Sequence, residues 1–449
     1  MPNFYLTCLV WILALSPHGW SDDQQQLQQR WQNILGPAQG RVPPSFALTD
    51  VVWRDDFAAA LKEARATNKP LAVTWRCLPC EQCAEFDKEI LEGSDRLDPL
   101  LHQFITVRLT NADLLDERYF PYRTHQDLDL SWWAYFLSPK GELYGVFGGK
   151  DEVSENTRIS EAAFINNLKR VLAHHYDPRR QDWKIDLPSG HASRSRSVPS
   201  DTPGYRMLSA KQPWLNKPHE EYGSCIHCHQ VADMLITESL AAGNFDARQL
   251  MGRWPLPENV GIRLDRDDGL RVTAVESGSA AAAAGIQVGD QLGMANGVRL
   301  FGQADFRGVL HRARYGDDSI QLAWLRDGTA RLGTLHVKDG WRATRSSWRK
   351  SVYDGVFGPT MGFFPLQGPA AGKGRGLSIR PFMGPNARQK PVYQSGLRPG
   401  MEIVAINDMT DDLGTRELIT WFRLNHKAGD VVTYKIRDGR TFDFTLPAD

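Results

Sequence analysis

The apolar positions change their period several times along the chain, and each change marks an element. Residues 6–15 are a short, nearly uncharged apolar run, and 22–36 carry a Gln-rich patch with helical spacing. After the loop GRVPPSFALTD, the stretch RDDFAAALKEARATNKP (54–70) reads as a helix, with aspartates at its start and Asn-Lys-Pro at its end. LAVTW (71–75) is a buried strand, CEQCAEFDKEIL (80–91) a second helix and FITVRL (104–109) another strand. WAYFLSPKGELYGVFG (133–148) predicts a hairpin turning at 138–141, and SEAAFINNLKRVLAHH (160–175) a closing helix. Helix alternating with strand predicts an α/β unit ending near His175. Residues 178–215, rich in Arg, Ser and Pro, read as a solvated linker. From residue 257 the pattern becomes short strands between glycine turns, which predicts a mainly β region.

That region repeats itself. GLRVTAVESGSAAAAAGIQVGDQLGMANGVRL (269–300) is matched by GLSIRPFMGPNARQKPVYQSGLRPGMEIVAINDM (376–409). Each copy has a strand, a small-residue helix ending at Gly285 or Gly396, a glycine turn, and a strand leading to Asn296-Gly297 or Asn407-Asp408. A helix and two further strands follow in both. The pattern resembles PDZ domains of the type that accompanies bacterial proteases, over roughly 80 residues per copy. The resemblance implies that each copy binds a peptide C-terminus by strand addition, with a glycine loop turning N–H groups onto the carboxylate. Those loops would be Val260-Gly261-Ile262 and Met361-Gly362-Phe363. Packing against neighbouring domains is the other use such modules could serve. No Gly-x-Ser-x-Gly or Gly-Asn-Ser-Gly-Gly protease motif occurs. Trp341 and Trp348 are expected to anchor the connector between the copies.

At 449 residues the chain is too long for a single core. Lys+Arg and Asp+Glu both number 53, so charge points neither to nucleic acid nor to an anionic membrane surface. The 6–15 run, with small residues at Ser16, Gly19 and Ser21, resembles a secretory signal peptide, although no Lys or Arg precedes it. It is too short to span a bilayer, and no later stretch is apolar enough to do so. The expectation is an exported chain, periplasmic or extracytoplasmic, without a transmembrane span once the signal is removed. Once Cys8 leaves with the signal, the cysteines form two clusters: Cys77, Cys80 and Cys83, then Cys225 and Cys228.

The strand–turn–helix LAVTWRCLPCEQCAEFDKEIL resembles the active-site region of thioredoxin-like proteins. Gapless placement on LAVTW puts Cys80 in the first active position and Cys83 in the second, with Cys77 an extra redox candidate in the turn. Cys80 would be the attacking thiolate, favoured by the N–H groups at a helix N-terminus, and Cys83 would resolve the mixed disulfide. A static disulfide or an inert thioredoxin-like shell is the alternative. Thioredoxins have a cis-proline beside the dithiol; here Trp132 takes that place, and no proline occurs in 122–138. Glu81 adds negative charge beside Cys80, which works against thiolate formation.

CIHCHQ (225–230) has the Cys-x-x-Cys-His spacing of c-type cytochromes. That resemblance implies one covalent haem c, with thioethers to Cys225 and Cys228 and His229 as the axial iron ligand. His219 and Met251 are the sixth-ligand candidates; Met234 lies too near His229 in sequence to reach the opposite face. Zinc is the alternative cofactor, but Cys225 and Cys228 supply only two of four ligands, and His227 and His229 are too local to complete them. A disulfide or unmodified thiols also remain open. The whole resembles multidomain thioredoxin/PDZ proteins of bacteria. The expected order is signal 1–21, N-terminal helix and loop 22–44, thioredoxin-like domain 45–177, linker 178–215, haem segment 216–256, first PDZ-like domain 257–337, connector 338–358 and second PDZ-like domain 359–449. The implied function is an exported redox protein that recruits protein C-termini; a non-enzymatic adaptor with structural cysteines is the rival.

Overall fold

The computed structural model describes residues 22–37, 51–76, 84, 87–91, 95–130, 132–148, 160–185, 196–212, 226–372, 374 and 376–447. A Gln-rich helix, α1 (Asp22–Leu35), comes first. The α/β unit follows with α2 (Phe57–Thr67), β1 (Leu71–Arg76), β2 (Ile105–Leu109), β3 (Trp132–Leu137), β4 (Leu143–Gly148) and α3 (Glu161–Tyr176). Local chemistry sets the ends of these elements. Asp56 accepts from the N–H groups of Ala58 and Ala59 to cap α2, and Asn68 closes it in the left-handed region. Ser160 caps α3 through the N–H of Ala163. In the hairpin turn, the N–H of Gly141 donates to the Ser138 carbonyl at 2.8 Å.

The sheet runs β2-β1-β3-β4, with β1 and β2 parallel and the other pairs antiparallel. Alternation along the strands makes two apolar faces. Leu71, Val73, Trp75, Trp133 and Tyr135 face α2 through Ala60, Leu61 and Ala64. Ala72, Trp132, Ala134 and Phe136 face α3 through Phe164, Leu168 and Val171. The connection from β2 to β3 contains only short helical turns, so it covers the first face poorly. Two later helices, α4 (Pro203–Lys211) and α5 (Cys228–Ala241), complete that cover with Leu208, Val231, Ala232 and Met234. This differs from the expected solvated linker over 178–215. Trp183, Val198 and Leu208 are apolar side chains that find cores to enter. The 216–256 segment, expected to be too short to stand alone and to pack against a neighbouring domain, contributes α5, which shares the core of the α/β unit.

The first β unit contains β5 (Ile262–Leu264), β6 (Val272–Val275), β7 (Gln291–Ala295), β8 (Val298–Arg299), α6 (Gln303–Arg312), β9 (Asp318–Arg326) and β10 (Thr329–Val337). Its sheets are β5-β6 and β10-β9-β7-β8, over a core of Ile262, Val272, Phe306, Leu310, Ile320 and Leu335. The last unit is one antiparallel sheet of β11 (Phe364–Gln367), β12 (Ile379–Phe382), β13 (Ile403–Ile406), β14 (Val431–Ile436) and β15 (Thr441–Thr445), packed on α7 (Thr415–Asn425).

Side chains cap exposed strand edges between the units. On the edge strand β10, the carbonyl of Ala330 accepts from Gln28 at 3.0 Å and its N–H donates to Gln32 at 2.6 Å, so α1 lies on the first β unit. On the edge strand β4, the N–H of Val146 donates to Asp305 of α6 at 2.7 Å. That carboxylate also accepts from the N–H groups of Phe301 and Gly302. Trp341 and Trp348 of the connector pack against the first β core and the α/β core respectively.

Arg349 of the connector is 1% exposed. Its guanidinium donates to both oxygens of Asp127 at 2.6 and 3.0 Å, to Asp129 at 3.2 Å and to the carbonyl of Arg253 at 3.0 Å. Replacing Arg349 with Met removes the cation that is hydrogen-bonded to both buried carboxylates and leaves Asp127 the guanidinium of Arg307, at 3.7 Å. Urea denaturation of Arg349→Met is expected to show a loss of about 3–5 kcal/mol, far more than the loss of an exposed ion pair such as Lys338–Asp317.

Candidate functional site

Cys77, Cys80 and Cys83 lie outside the described residues, but the frame that holds them is defined. β1 ends at Arg76, one residue before Cys77, and the strand register sets Arg76 opposite Trp132. Trp132 therefore sits at the strand end, across from the residue that precedes the thiol segment in sequence. It is fully buried, and its indole N–H donates to Asp87 at 3.3 Å. Asp87 begins a π-helical turn, Asp87–Leu91, where the chain re-emerges after the thiols. Its carboxylate lies 2.7 Å from Nε of Arg76 and 3.6 Å from Nε of Arg108. The Arg108 guanidinium lies over the ring of Trp53. One buried carboxylate thus ties the returning chain to β1, β2 and β3, and holds two guanidinium groups at the end of the sheet from which the thiols depart. Such cations favour a thiolate nearby. Asp87 and Arg76 were not singled out in the sequence; their spacing around the cysteines was the available signal.

Of the second cluster, Cys225 and His219 lie outside the described residues, while Cys228 and His229 open α5. The N–H of His227 donates to the side chain of Gln230 at 2.7 Å and so starts the helix. Cys228 is 8% exposed and belongs to the same apolar cluster as Tyr135 and Val231. Burial first, then the Lys350 ammonium and His227, push the His229 imidazole down to about 4. The rings of His227 and His229 stack with centroids 5.6 Å apart. Neither ring nitrogen of His229 has a hydrogen-bond partner among the described residues. A neutral, unpartnered imidazole has the chemistry of a metal ligand, so this residue fits the iron-binding part assigned to it. Met251 ends a separate short helix, and its carbonyl accepts from Thr344 at 3.1 Å. No group of three or more His, Cys, Asp or Glu side chains with metal-holding geometry occurs among the described residues.

Asp233 lies one turn beyond His229 on α5, a spacing legible in the sequence but not singled out. Burial first, then the charges of Asp129 and Asp354, push its carboxyl up to about 7; Lys350 and the N–H of Val356 act in the other direction. Its Oδ1 is buried without a hydrogen-bond partner.

The two glycine loops differ. Gly261 has a φ of 83°, and a Cβ there would lie 2.1 Å from the Ser279 Cβ, so only glycine fits. Val260 and Ile262 on either side are buried, and the Gly261 N–H already donates to the Glu258 carbonyl at 3.0 Å. Asn259 donates to the carbonyls of Trp341 and Ala343, which draws the connector across this loop. The helix of this unit is covered as well: Trp254 stacks on His311 at 5.0 Å, and its carbonyl accepts from Arg307. In the last unit Gly362 has a φ of 78°, with Met361 and Phe363 beside it. This loop and α7 bound an open groove of about 630 Å³.

A family model described as thioredoxin-like matches residues 52–130, and a PDZ domain model matches residues 259–337. The chain therefore contains a thioredoxin-like domain and a PDZ domain. Comparison with curated proteins gives no match. Among the described residues, no helix is long and apolar enough to cross a membrane.

The raised pKa of Asp233 has a definite sign in stability. Unfolded, the carboxyl loses its proton near pH 4; folded, it keeps it to about 7. Its contribution is present below pH 4 and is lost as pH rises towards 7. His229 slopes the opposite way over part of this range, so the comparison is between proteins. Relative to the unaltered protein, Asp233→Asn is expected to gain up to about 1.4 kcal/mol per pH unit between pH 4 and 7, read from denaturant midpoints at each pH.

Proposed function

We propose that the chain is an exported redox protein in which a thioredoxin-like dithiol and one covalently bound haem c act beside PDZ-type modules that recruit a polypeptide partner. The observation that carries this reading is the Cys225-x-x-Cys228-His229 sequence, of which Cys228 and His229 open a helix whose apolar side joins the thioredoxin-like core. Export rests on the apolar run and small residues of the first 21 positions. Cys225 and Cys228 would hold haem through thioethers, and His229 would ligate its iron; bound haem supplies one-electron transfer. At the other cluster, the Cys80 thiolate would attack a client disulfide, breaking its S–S bond, releasing one client thiolate and forming a mixed disulfide with the other sulfur. Cys83 would then displace the second client thiolate, and each client thiolate takes up a proton. The net exchange oxidises the protein dithiol and reduces the client by two electrons. The guanidinium groups of Arg76 and Arg108 would favour the thiolate, against the negative charge of Glu81.

One observation favours the rival adaptor. Trp132, at the position a thioredoxin gives to its cis-proline, is buried and bonded to Asp87, and would reshape the groove that orients a client disulfide. In that reading the last unit would act as a second PDZ-like module and the cysteines would be structural, or Cys225 and Cys228 would help bind zinc.

Two measurements separate these readings. Expressed with a cytochrome c maturation system, the exported protein is expected to carry a haem absorption band that survives denaturation, and the double change of Cys225 and Cys228 to Ala is expected to abolish it. A colourless protein with one zinc per chain overturns haem. With a limiting alkylating reagent near neutral pH, Cys80 is expected to be labelled first, and Cys83→Ser to trap mixed disulfides. First labelling of Cys77 would reassign the pair to Cys77 and Cys80; no labelling in the folded protein would make the domain a scaffold.

A further inference from the structure

We propose that the two β units divide their work. The first uses its helix to hold the thioredoxin-like domain, whereas the groove of the last unit takes the C-terminus of a partner polypeptide and reads its carboxylate and last residue, not an extended strand. This rests on the PDZ-type recruitment proposed above and assigns it to one groove and one chemical class of ligand.

The loop of the last unit offers unused donors. No described residue accepts a hydrogen bond from the backbone N–H of Met361, Gly362 or Phe363. Met361 and Phe363 are nevertheless buried residues, where an N–H without a partner is rare. The left-handed Gly362 turns this run of N–H groups, and successive amides in such a turn form an anion-binding concavity. In the first unit the corresponding glycine N–H is closed onto Glu258. Charge agrees with an anionic terminus: Lys390 and Arg423 line the groove, against Asp354 alone. Met361, Phe363, Ile419 and Phe422 supply apolar walls, which fit a large apolar last side chain.

The strand beside the groove limits how much of the partner can be read. β11 is an edge strand, and its Pro365 lies opposite Pro381 of β12. Neither residue has an N–H, so the two cannot exchange hydrogen bonds, and their remaining backbone groups point away from each other. The only outward group of Pro365 is its carbonyl, and Thr415 of α7 donates to it at 3.1 Å. Strand addition therefore stops after Phe363. Phe364 and Phe382, which are 50% and 55% exposed and line the groove, continue the apolar wall to the surface without adding backbone pairing.

The test uses the full chain and a fluorescent decapeptide ending in leucine. Amidating the terminus, or replacing the leucine with glycine, is expected to weaken binding by about tenfold or more, the loss of a charge-assisted bond set or of a buried side chain. Shortening the peptide to its last three residues is expected to change affinity by less than about threefold. Ile419→Glu is expected to abolish binding. Lys390→Glu, at an exposed position that leaves the core intact, is expected to weaken it, and so tests the groove even if Ile419→Glu fails to fold. Arg263→Glu, on β5 of the first unit, is expected to leave binding unchanged. Binding lost in Arg263→Glu but kept in Ile419→Glu and Lys390→Glu would overturn the division of work while leaving PDZ-type recruitment intact. Equal affinity for acid and amide, or loss of binding on shortening, overturns the carboxylate-and-last-residue reading. Absence of binding to any of a broad set of C-terminal peptides overturns both this inference and the recruitment it rests on.

Discussion

Arg349 is the point at which the units of this chain are fixed to one another. Two carboxylates, Asp127 and Asp129, come from the loop that precedes β3; the guanidinium comes from the connector more than two hundred residues later. The backbone carbonyl of Arg253 and the hydroxyl and N–H of Ser351 complete the set. Removing such charges from water is costly, so the cluster adds little net stability over an apolar packing of the same shape. What it supplies is position. Only one placement of the connector satisfies both carboxylates, and that placement brings Lys350 and Asp354 against α5 and carries Trp341 past the first glycine loop. Burial makes the cluster intolerant of a missing partner and by itself would lower the Arg349 pKa, but Asp127 and Asp129 outweigh it, raise the pKa and hold the guanidinium charged.

A second consequence follows from the short connection between β2 and β3. A sheet with one face half covered must bury the rest, and the chain does so with α4 and α5 rather than with a helix inserted in sequence. The Cys-x-x-Cys-His segment is thereby built into the thioredoxin-like domain. Cys228 lies over the face formed by Tyr135 and Trp133, while the segment carrying Cys77, Cys80 and Cys83 leaves from the end of the same sheet. Of the second cluster, Cys228 thus shares an apolar core with the strand β1, whose last residue, Arg76, precedes Cys77 in sequence.

The strands around LAVTW, the 138–141 turn and the capped helix at 57–67 were legible because each is decided by neighbours in sequence: an apolar run, a turn residue, an aspartate before the first helical turn. Trp132 was given the cis-proline position by the resemblance of FLSPKG to thioredoxins; the strand register sets it opposite Arg76, the residue before Cys77. The cover given by α4 and α5 was not legible, since the vacancy that they fill is a property of the folded sheet. Nor was the difference between the two glycine loops. Both have glycine between bulky apolar residues; what separates them is Asn259 reaching the connector and Glu258 closing the Gly261 amide, and these are tertiary contacts. Asp87 and Asp233 looked like ordinary helix-surface acids until their surroundings were known.

The start of α5 shows how those surroundings act together. His229 and Asp233 lie one helical turn apart, and burial acts on both in the direction of neutrality: it lowers the imidazole and raises the carboxyl. The residual charges oppose one another. Lys350 disfavours a proton on His229 and favours ionisation of Asp233; Asp354 does the reverse to each. Near neutral pH the imidazole is therefore uncharged, while the carboxyl is balanced between its two forms. The connector fixed by Arg349 thus supplies, in Lys350 and Asp354, the charges that oppose one another at both groups of α5.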